Sequence, residues 1–284
     1  MFTSLAVLFS AFFFSSSKAA VTDTPAVAVE QPRSYTIVID PGHGGHDKGA
    51  SKSGANESSI ALAISKQLTE RLQKSGYKVL LTRAKDESVS LEKRAAIANE
   101  AGADLLVSIH LNSSTDARAQ GKEFYFQNQL AVDEEALFLA NRENHEHEDS
   151  SALSVNPGQE RVQKSGLRSA EAARLPQLNI ANAGVRTDVR NIIEDLDRSA
   201  RVRRSSELAK IFHREWNVVS GQSSARGIRQ APFFLVSNVA MPSVLVEVGF
   251  LSHAKEGARL QKAEFQASLA DSLANGIDQY FKRP

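Results

Sequence analysis

The sequence predicts an α/β fold: a twisted, mostly parallel sheet flanked by helices, with a mainly helical insert. Two observations lead there. Between residues 35 and 127, short apolar runs alternate with stretches of helical period, joined by brief turns. After a long irregular stretch the same alternation returns near the carboxyl terminus, over 233–248 and 264–282. In such a sheet, residues that end strands and residues that open helices gather at one rim.

Each element has its own signal. Residues 35–40 form a short apolar run halted by Pro41-Gly42, which reads as a buried strand. Residues 56–75 carry Ile60, Ile64, Leu68 and Leu72 at helical spacing, with Asn56 as the expected N-cap and Gly76 as the stop. Leucines and β-branched residues make 77–82 a second strand. Leu91, Ala95 and Ala98 place a helix over 91–100, ended by Gly102, and 104–110 is the next buried strand. Alternation over 122–127 predicts an edge strand.

The regularity breaks at Leu130. A helix is expected over 131–144, then a charged His/Glu run over 143–149 that contains His145-Glu146-His147-Glu148, then a polar stretch over 150–180 broken by Pro157-Gly158 and Leu175-Pro176. Helical period resumes over 187–219 through Val189, Ile192, Ile193, Leu196, Leu208, Ile211 and Phe212. Strands are expected at 233–237 and 243–248, and a closing amphipathic helix at 264–282. A long aperiodic segment within a compact domain is usually a lid or a disordered insert, so about 131–186 is assigned as one. The chain has no visible internal repeat.

Composition narrows the function. With 284 residues, 42% hydrophobic and 24% charged, there is material for one α/β domain plus additions. A formal net charge of +1 argues against nucleic acid as a partner, because phosphate contacts need a dominant basic face. Cysteine is absent, which removes disulfides and thiolate nucleophiles and leaves His, Asp and Glu to hold any metal. Residues 5–14 are an apolar run of signal-peptide length, too short to span a bilayer. Ser17-Lys18-Ala19 fits a cleavage site after Ala19, although no Lys or Arg precedes the apolar run. The expected organisation is a signal peptide at 1–19, a tail at 20–34 and one domain over 35–284. That describes a secreted, periplasmic protein without a stable membrane anchor.

Four residues carry the chemistry. His43 sits among glycines in Asp40-Pro41-Gly42-His43-Gly44-Gly45, a stretch without the Gly-Lys-Ser/Thr ending of a phosphate loop. Taken alone, a His after a strand is more often structural than ligating. Glu57 opens a helix, where the macrodipole keeps a carboxylate ionised. His110 ends an apolar run, and Asn112 follows two residues later. Metal-bound imidazoles need hydrogen-bonding partners, and Asp40 and Asn112 are the candidates for that role or for substrate contact. Glu247 lies in Val244-Leu245-Val246-Glu247-Val248-Gly249-Phe250, where an unpaired carboxylate is costly. It needs a cationic or metal partner, or it is a base with a raised pKa. Two imidazoles and one carboxylate form the ligand set of a catalytic zinc site with an open position, which points to a metallohydrolase.

Taken in order, these stretches resemble the zinc-dependent N-acetylmuramoyl-L-alanine amidases, peptidoglycan hydrolases whose members separate daughter cells. The likeness runs from about Tyr35 to the carboxyl terminus, interrupted by the insert. It includes Gly121-Lys122-Glu123-Phe124-Tyr125, Gln230-Ala231-Pro232-Phe233 and Glu247-Val248-Gly249-Phe250-Leu251-Ser252. Each motif is weak alone, and the ordered set is specific. The resemblance implies that His43, Glu57 and His110 hold one Zn²⁺ and that Glu247 acts as general base, then general acid. It implies peptidoglycan as the partner, cut between the lactyl group of N-acetylmuramic acid and the L-alanine of the stem peptide, by a monomer.

Some members of that family carry a regulatory helix where this chain has its insert, covering the zinc until an activator with a degenerate LytM-type domain withdraws it. By that resemblance the insert is autoinhibitory and a carboxylate fills the open zinc position. Glu143 is the first candidate, with Glu146 and Glu148 as rivals. The 145–148 run itself reads better as a solvated loop than as a second metal site. Two other readings compete. A zinc carboxypeptidase-like enzyme would usually carry a His-x-x-Glu pair, which His43 and Glu57 do not form. A peptidoglycan-binding pseudoenzyme is disfavoured by the intact ligand set.

Overall fold

The structure, a computed structural model, describes residues 34–128, 133–145, 180–220 and 227–282. The first half runs β1 (Thr36–Pro41), β2 (Ser51–Lys52), β3 (Ala55–Asn56), α1 (Glu57–Lys74), β4 (Lys78–Leu81), α2 (Leu91–Glu100), β5 (Leu105–Asn112) and β6 (Glu123–Gln127). The second half runs α3 (Glu134–His145), α4 (Ile180–Ser220), β7 (Ile228–Ala231), α5 (Phe234–Ser237), β8 (Ser243–Phe250), α6 (Ala254–Leu260) and α7 (Ala263–Phe281). Six strands form one sheet in the order β4-β1-β5-β8-β6-β7. The first four are mutually parallel, β6 runs antiparallel to β8, and β7 is parallel to β6.

Strand alternation sorts the side chains between two cores. Ile37 and Ile39, Leu105, Val107 and Ile109, and Val244, Val246 and Val248 face one side. There they meet Ile60, Ile64, Leu68 and Leu72 of α1, Leu208 and Phe212 of α4, and Leu269, Leu273 and Ile277 of α7. Val38, Leu106, Leu245 and Tyr125 face the other side, against Ala95 and Ala98 of α2, Ala136, Leu139 and Ala140 of α3, and Leu235 and Val236 of α5. On this second face the same alternation turns polar toward the carboxyl ends of the parallel strands. Asp40 pairs in register with Ser108, and His110 with Glu247, which pairs in turn with Glu123. A buried polar patch thus continues an apolar face, and the β5–β8 register shifts only past His110, before Asn112.

Most elements lie where periodicity places them, and the exceptions have physical causes. The run 233–237 is not a strand: Ile228–Ala231 is the strand, and Phe234–Ser237 is a single helical turn after Pro232. A short apolar run does not by itself distinguish the two. The 122–127 strand is not an edge; β6 lies between β8 and β7. Its alternating polar residue, Glu123, is fully buried, with protein partners in place of solvent. The long helix begins at Ile180, inside the segment assigned as aperiodic, and Ile192, Ile193 and Leu196 are exposed at 58%, 52% and 64%. Residues 191–199 are exposed, so no buried apolar stripe marks this part of α4. The β2–β3 hairpin and α6 carry too few residues for a periodic signal. Of the expected insert, α3 and the start of α4 are described; Glu146, Glu148 and the rest of 146–179 lie outside the described residues, as does the expected signal segment at 1–19. Among the described residues no helix is long and apolar enough to cross a membrane.

Candidate active site

His43 follows β1 on a loop that turns sharply under the sheet. Gly42 N donates to Ile109 O at 2.9 Å, keeping the loop beside β5. The space is tight: a Cβ on Gly42 would lie 2.6–2.8 Å from three atoms of the His110 ring. His43 itself adopts φ +54°, a left-handed conformation rare outside glycine. Its Nδ1 lies 2.7 Å from Asp47 Oδ2, which accepts that proton and turns Nε2 inward.

Glu57 is the first residue of α1. Asn56 occupies the N-cap position, but its side chain does not cap the helix; its Oδ1 accepts from Ser51 Oγ instead. The first helical amides are satisfied by loop carbonyls, Glu57 N by Ala50 O and Ser58 N by Lys48 O. The Glu57 carboxylate accepts Leu111 N on Oε1 and Ala50 N on Oε2, both at 2.8 Å. Backbone from β5 and from the loop therefore fixes its position.

His110, on β5, completes a cluster that α3 closes from above with Glu143. His43 Nε2 lies 3.0 Å from Glu57 Oε1 and 3.3 Å from Glu143 Oε2. His110 Nδ1 lies 3.2 Å from the same Glu57 oxygen and 3.1 Å from the same Glu143 oxygen. All four residues are at most 6% exposed. Tetrahedral zinc, with ligand bonds of about 2.0–2.2 Å, needs neighbouring donor atoms roughly 3.3–3.6 Å apart. The cage is a slightly contracted version of that figure, and its donors are imidazole and carboxylate, so the residues fit a divalent cation.

The electrostatics agree. Burial opposes protonation of His43, but the Glu57 and Glu143 carboxylates outweigh it and hold its pKa well above the usual value. His110 behaves alike, with burial overcome chiefly by Glu143, and is pushed up to about 10. Burial would raise Glu57, yet His43 and His110 bring it down to about 2. The two carboxylates make this a pocket that favours positive charge, which a bound metal ion would supply.

Glu247, on β8, is fully buried, and among the described residues neither of its carboxylate oxygens has a hydrogen-bond partner. Burial first, then the neighbouring Glu143 carboxylate, pushes its pKa well above the usual carboxylate range. It reaches the same centre: one oxygen each from Glu247 and Glu143 and one nitrogen from His110 lie within 4.8 Å of one another.

The family model described as N-acetylmuramoyl-L-alanine amidase matches residues 37–279. The chain belongs to that family. It is 30% identical to the N-acetylmuramoyl-L-alanine amidase AmiA of Escherichia coli over 247 residues, covering 86% of this chain and 75% of AmiA. An N-acetylmuramoyl-L-alanine amidase from Clostridium difficile superposes with a TM-score of 0.59 at 25% identity, covering 87% of this chain and 97% of that one. The CwlD amidase of Clostridioides difficile, solved in complex with the GerS lipoprotein, shares the fold with a TM-score of 0.59 at 23% identity, covering 87% and 98%. This amidase is a peptidoglycan hydrolase.

In the amidase, α3 sits directly over the cluster. Ala136, Leu139 and Ala140 are buried against the sheet's second face, and Glu143 projects from the same side of the helix. The Arg142 guanidinium grips the other Glu143 oxygen, Oε1, at 2.8 Å. His43 and His110 hold the Glu143 carboxyl well below its usual pKa against the effect of burial. Asn144 fastens the helix end with two backbone bonds, accepting Phe234 N at 2.7 Å and donating to Pro232 O at 3.1 Å.

Asp40 and Asn112 lie beside the amidase cluster but bond elsewhere. Asp40 accepts from Thr82 Oγ1, Ser108 Oγ and Arg94 Nη1 at 2.5, 2.6 and 2.7 Å. Asn112 donates to Glu123 Oε2 at 2.9 Å, and Tyr125 OH donates to the same oxygen at 3.1 Å. Neither contacts an imidazole in these bonds. Reading the sequence missed Asp47, Arg83, Arg94, Glu123 and Arg142. Asp47 had a usable signal, a carboxylate four residues after His43 in the same turn. Arg83 and Arg94 had none, because each reaches the site from a distant element, whereas Arg142 stands directly beside Glu143.

Proposed function

We propose that this amidase works with one zinc ion held by His43, Glu57 and His110, and that Glu143 fills the fourth position in a closed, autoinhibited state. The observation that carries this reading is the set of four donor atoms, two nitrogens and two carboxylate oxygens, separated by 3.0–3.3 Å across each imidazole–carboxylate pair. When bound, zinc supplies Lewis-acid polarisation of the scissile carbonyl and lowers the pKa of water at the site. Glu247 takes the proton of the attacking water and delivers it to the amide nitrogen as the bond to L-alanine breaks. One product keeps the lactyl carboxylate on N-acetylmuramic acid; the other is a stem peptide with a free amine. Burial and the Glu143 carboxylate raise the pKa of Glu247, which suits a group that must both accept and return a proton.

With α3 seated, Glu143 and the substrate carbonyl compete for one position. Activation therefore requires α3 to move. A LytM-type activator is the partner we assign to that step, by the family resemblance. The CwlD–GerS complex offers a parallel, as an amidase of the same fold held with another protein. The amino-terminal signature supports export to the periplasm, where the substrate lies, and a monomeric role in cell separation.

The decisive experiment measures stem-peptide release from purified peptidoglycan by the zinc-loaded mature chain and by a version lacking residues 131–186. Release by the deletion alone supports the closed state. Equal release by both rejects Glu143 as a block, and zinc-loaded protein that is silent in both forms rejects the assigned bond. Product analysis separates an amidase, which frees the L-alanine amine from sugar, from a peptidase, which cuts between amino acids.

A further inference from the structure

His43 is set for its role by its main chain, and two buried arginines hold that main chain. Arg83 and Arg94 are 2% and 1% exposed, and they lie among the largest fully enclosed side chains in the molecule. Between them they take every carbonyl of Pro41, Gly42 and His43. Arg94 donates to Pro41 O at 2.6 Å and to His43 O at 2.7 Å. Arg83 donates to Pro41 O at 3.0 Å and to Gly42 O at 2.6 Å. With its carbonyl drawn to the arginine side, His43 holds φ +54° and its imidazole faces away, into the cluster.

The grip extends further. The Arg83 nitrogen that binds Gly42 O also donates to Ser58 O at 2.8 Å, in the first turn of α1 beside Glu57. One guanidinium therefore locks the His43 loop in register with the helix that presents Glu57. Arg94 is fastened at its own end by Val89 O at 2.8 Å and is neutralised by Asp40 at 2.7 Å. Asp40, which touches neither imidazole in these bonds, acts on the site through Arg94.

We propose that Arg83 and Arg94 are positioning residues that clamp the Pro41–His43 carbonyls, and so pre-set His43 and Glu57 for zinc. The inference rests on the zinc reading above and concerns binding, before any turnover. A lysine keeps the charge but offers one compact ammonium in place of a planar fork, and it does not span two or three carbonyls at once. Arg94→Lys and Arg83→Lys should each weaken zinc binding about 10- to 100-fold, the range seen when groups behind metal ligands are lost.

The test is chelator-competition titration of zinc on the full mature chain and on each variant, with thermal melts of the zinc-free forms. Leu68→Ala, in the core remote from the loop, serves as the comparison for general destabilisation. The expected result is weaker zinc binding in the arginine variants and wild-type binding in Leu68→Ala. In a His43→Ala background, Arg94→Lys should add little further loss, because its effect passes through His43. Zinc binding that falls as much in Leu68→Ala, or arginine variants that do not fold even without metal, would make the pair merely structural and overturn the proposal. Tight binding by the variants and the wild type alike overturns it while leaving the zinc reading intact. A wild-type chain that binds no zinc overturns both.

Discussion

Gly42 shows how little space the centre leaves. A methyl group there would collide with the His110 ring at 2.6–2.8 Å. Gly42→Ala should cost about 1–3 kcal/mol through overpacking and reduce zinc occupancy, read by denaturant melts and metal analysis. Glu247 has the opposite character, with no side-chain hydrogen bond to lose among the described residues. Glu247→Ala should keep its zinc and lose roughly 10²- to 10⁴-fold in turnover, the usual contribution of a general acid–base; an active variant would reject the assignment. Asp40 makes a prediction in pH. Burial alone would raise its pKa, but Arg94, Ser108 and Thr82 bring it from 3.8 down to about 2. A carboxyl depressed on folding contributes stability in full above the unfolded value and loses it as pH falls through the folded one. The window is therefore pH 4 down to 2, and the contribution is on the order of 2 kcal/mol. Asp40→Asn should flatten that part of the acid-unfolding curve relative to the wild type.

At the scale of elements, α3 is a small helix that closes the cluster. It is docked by Ala136, Leu139 and Ala140, by Glu143 in the cluster and by Asn144 on the backbone of 232–234. Its outer face carries Leu137 at 43% and Phe138 at 71% exposure. A lid closed in ninety-nine molecules of a hundred needs only about 2.7 kcal/mol. Asn144→Ala removes two hydrogen bonds worth about 1–2 kcal/mol together. If α3 is the lid, basal stem-peptide release should rise roughly five- to thirtyfold, and Glu143→Ala should raise it as well. Unchanged release in both would disconnect α3 from regulation. The existence of this helix was legible in the sequence, within a few residues of its ends. Its position over the His–Glu cluster was not, because seating depends on small apolar contacts with a sheet face assembled from distant segments.

On the scale of the whole molecule, residues 34–284 form one compact unit, and the cluster draws on β1's loop, α1, β5, α3 and β8. Metal binding should therefore stabilise the unit as a whole. Zinc at one hundred times its Kd adds about 2.7 kcal/mol, or roughly 5–10 °C in Tm for a domain of this size. Stripping with a chelator should lower Tm by that amount, and re-addition should restore it. A melt indifferent to zinc would mean that the cluster does not bind it in the folded state.

The α/β class and the order of the main strands and helices were legible in the sequence, and so were His43, Glu57, His110 and Glu247 as candidates for the site. His43, His110 and Glu247 interrupt or end an apolar run and Glu57 opens a helix, and such signals are local and therefore readable. Which polar groups support these residues became visible only once the chain was folded. Arg83 and Arg94 reach the His43 loop from beyond β4 and from α2, Asp40 turns toward Arg94 in preference to the imidazoles, and Glu123 is satisfied inside the sheet. The misread elements have the same cause. Residues 233–237 form a helical turn, β6 is an interior strand, and α4 begins earlier than its apolar period, because burial at these places is set by partners distant in the chain. Period and composition record what a segment does with its own residues; the choice of neighbour is made when the sheet closes and hydrogen-bonding groups must find partners out of water.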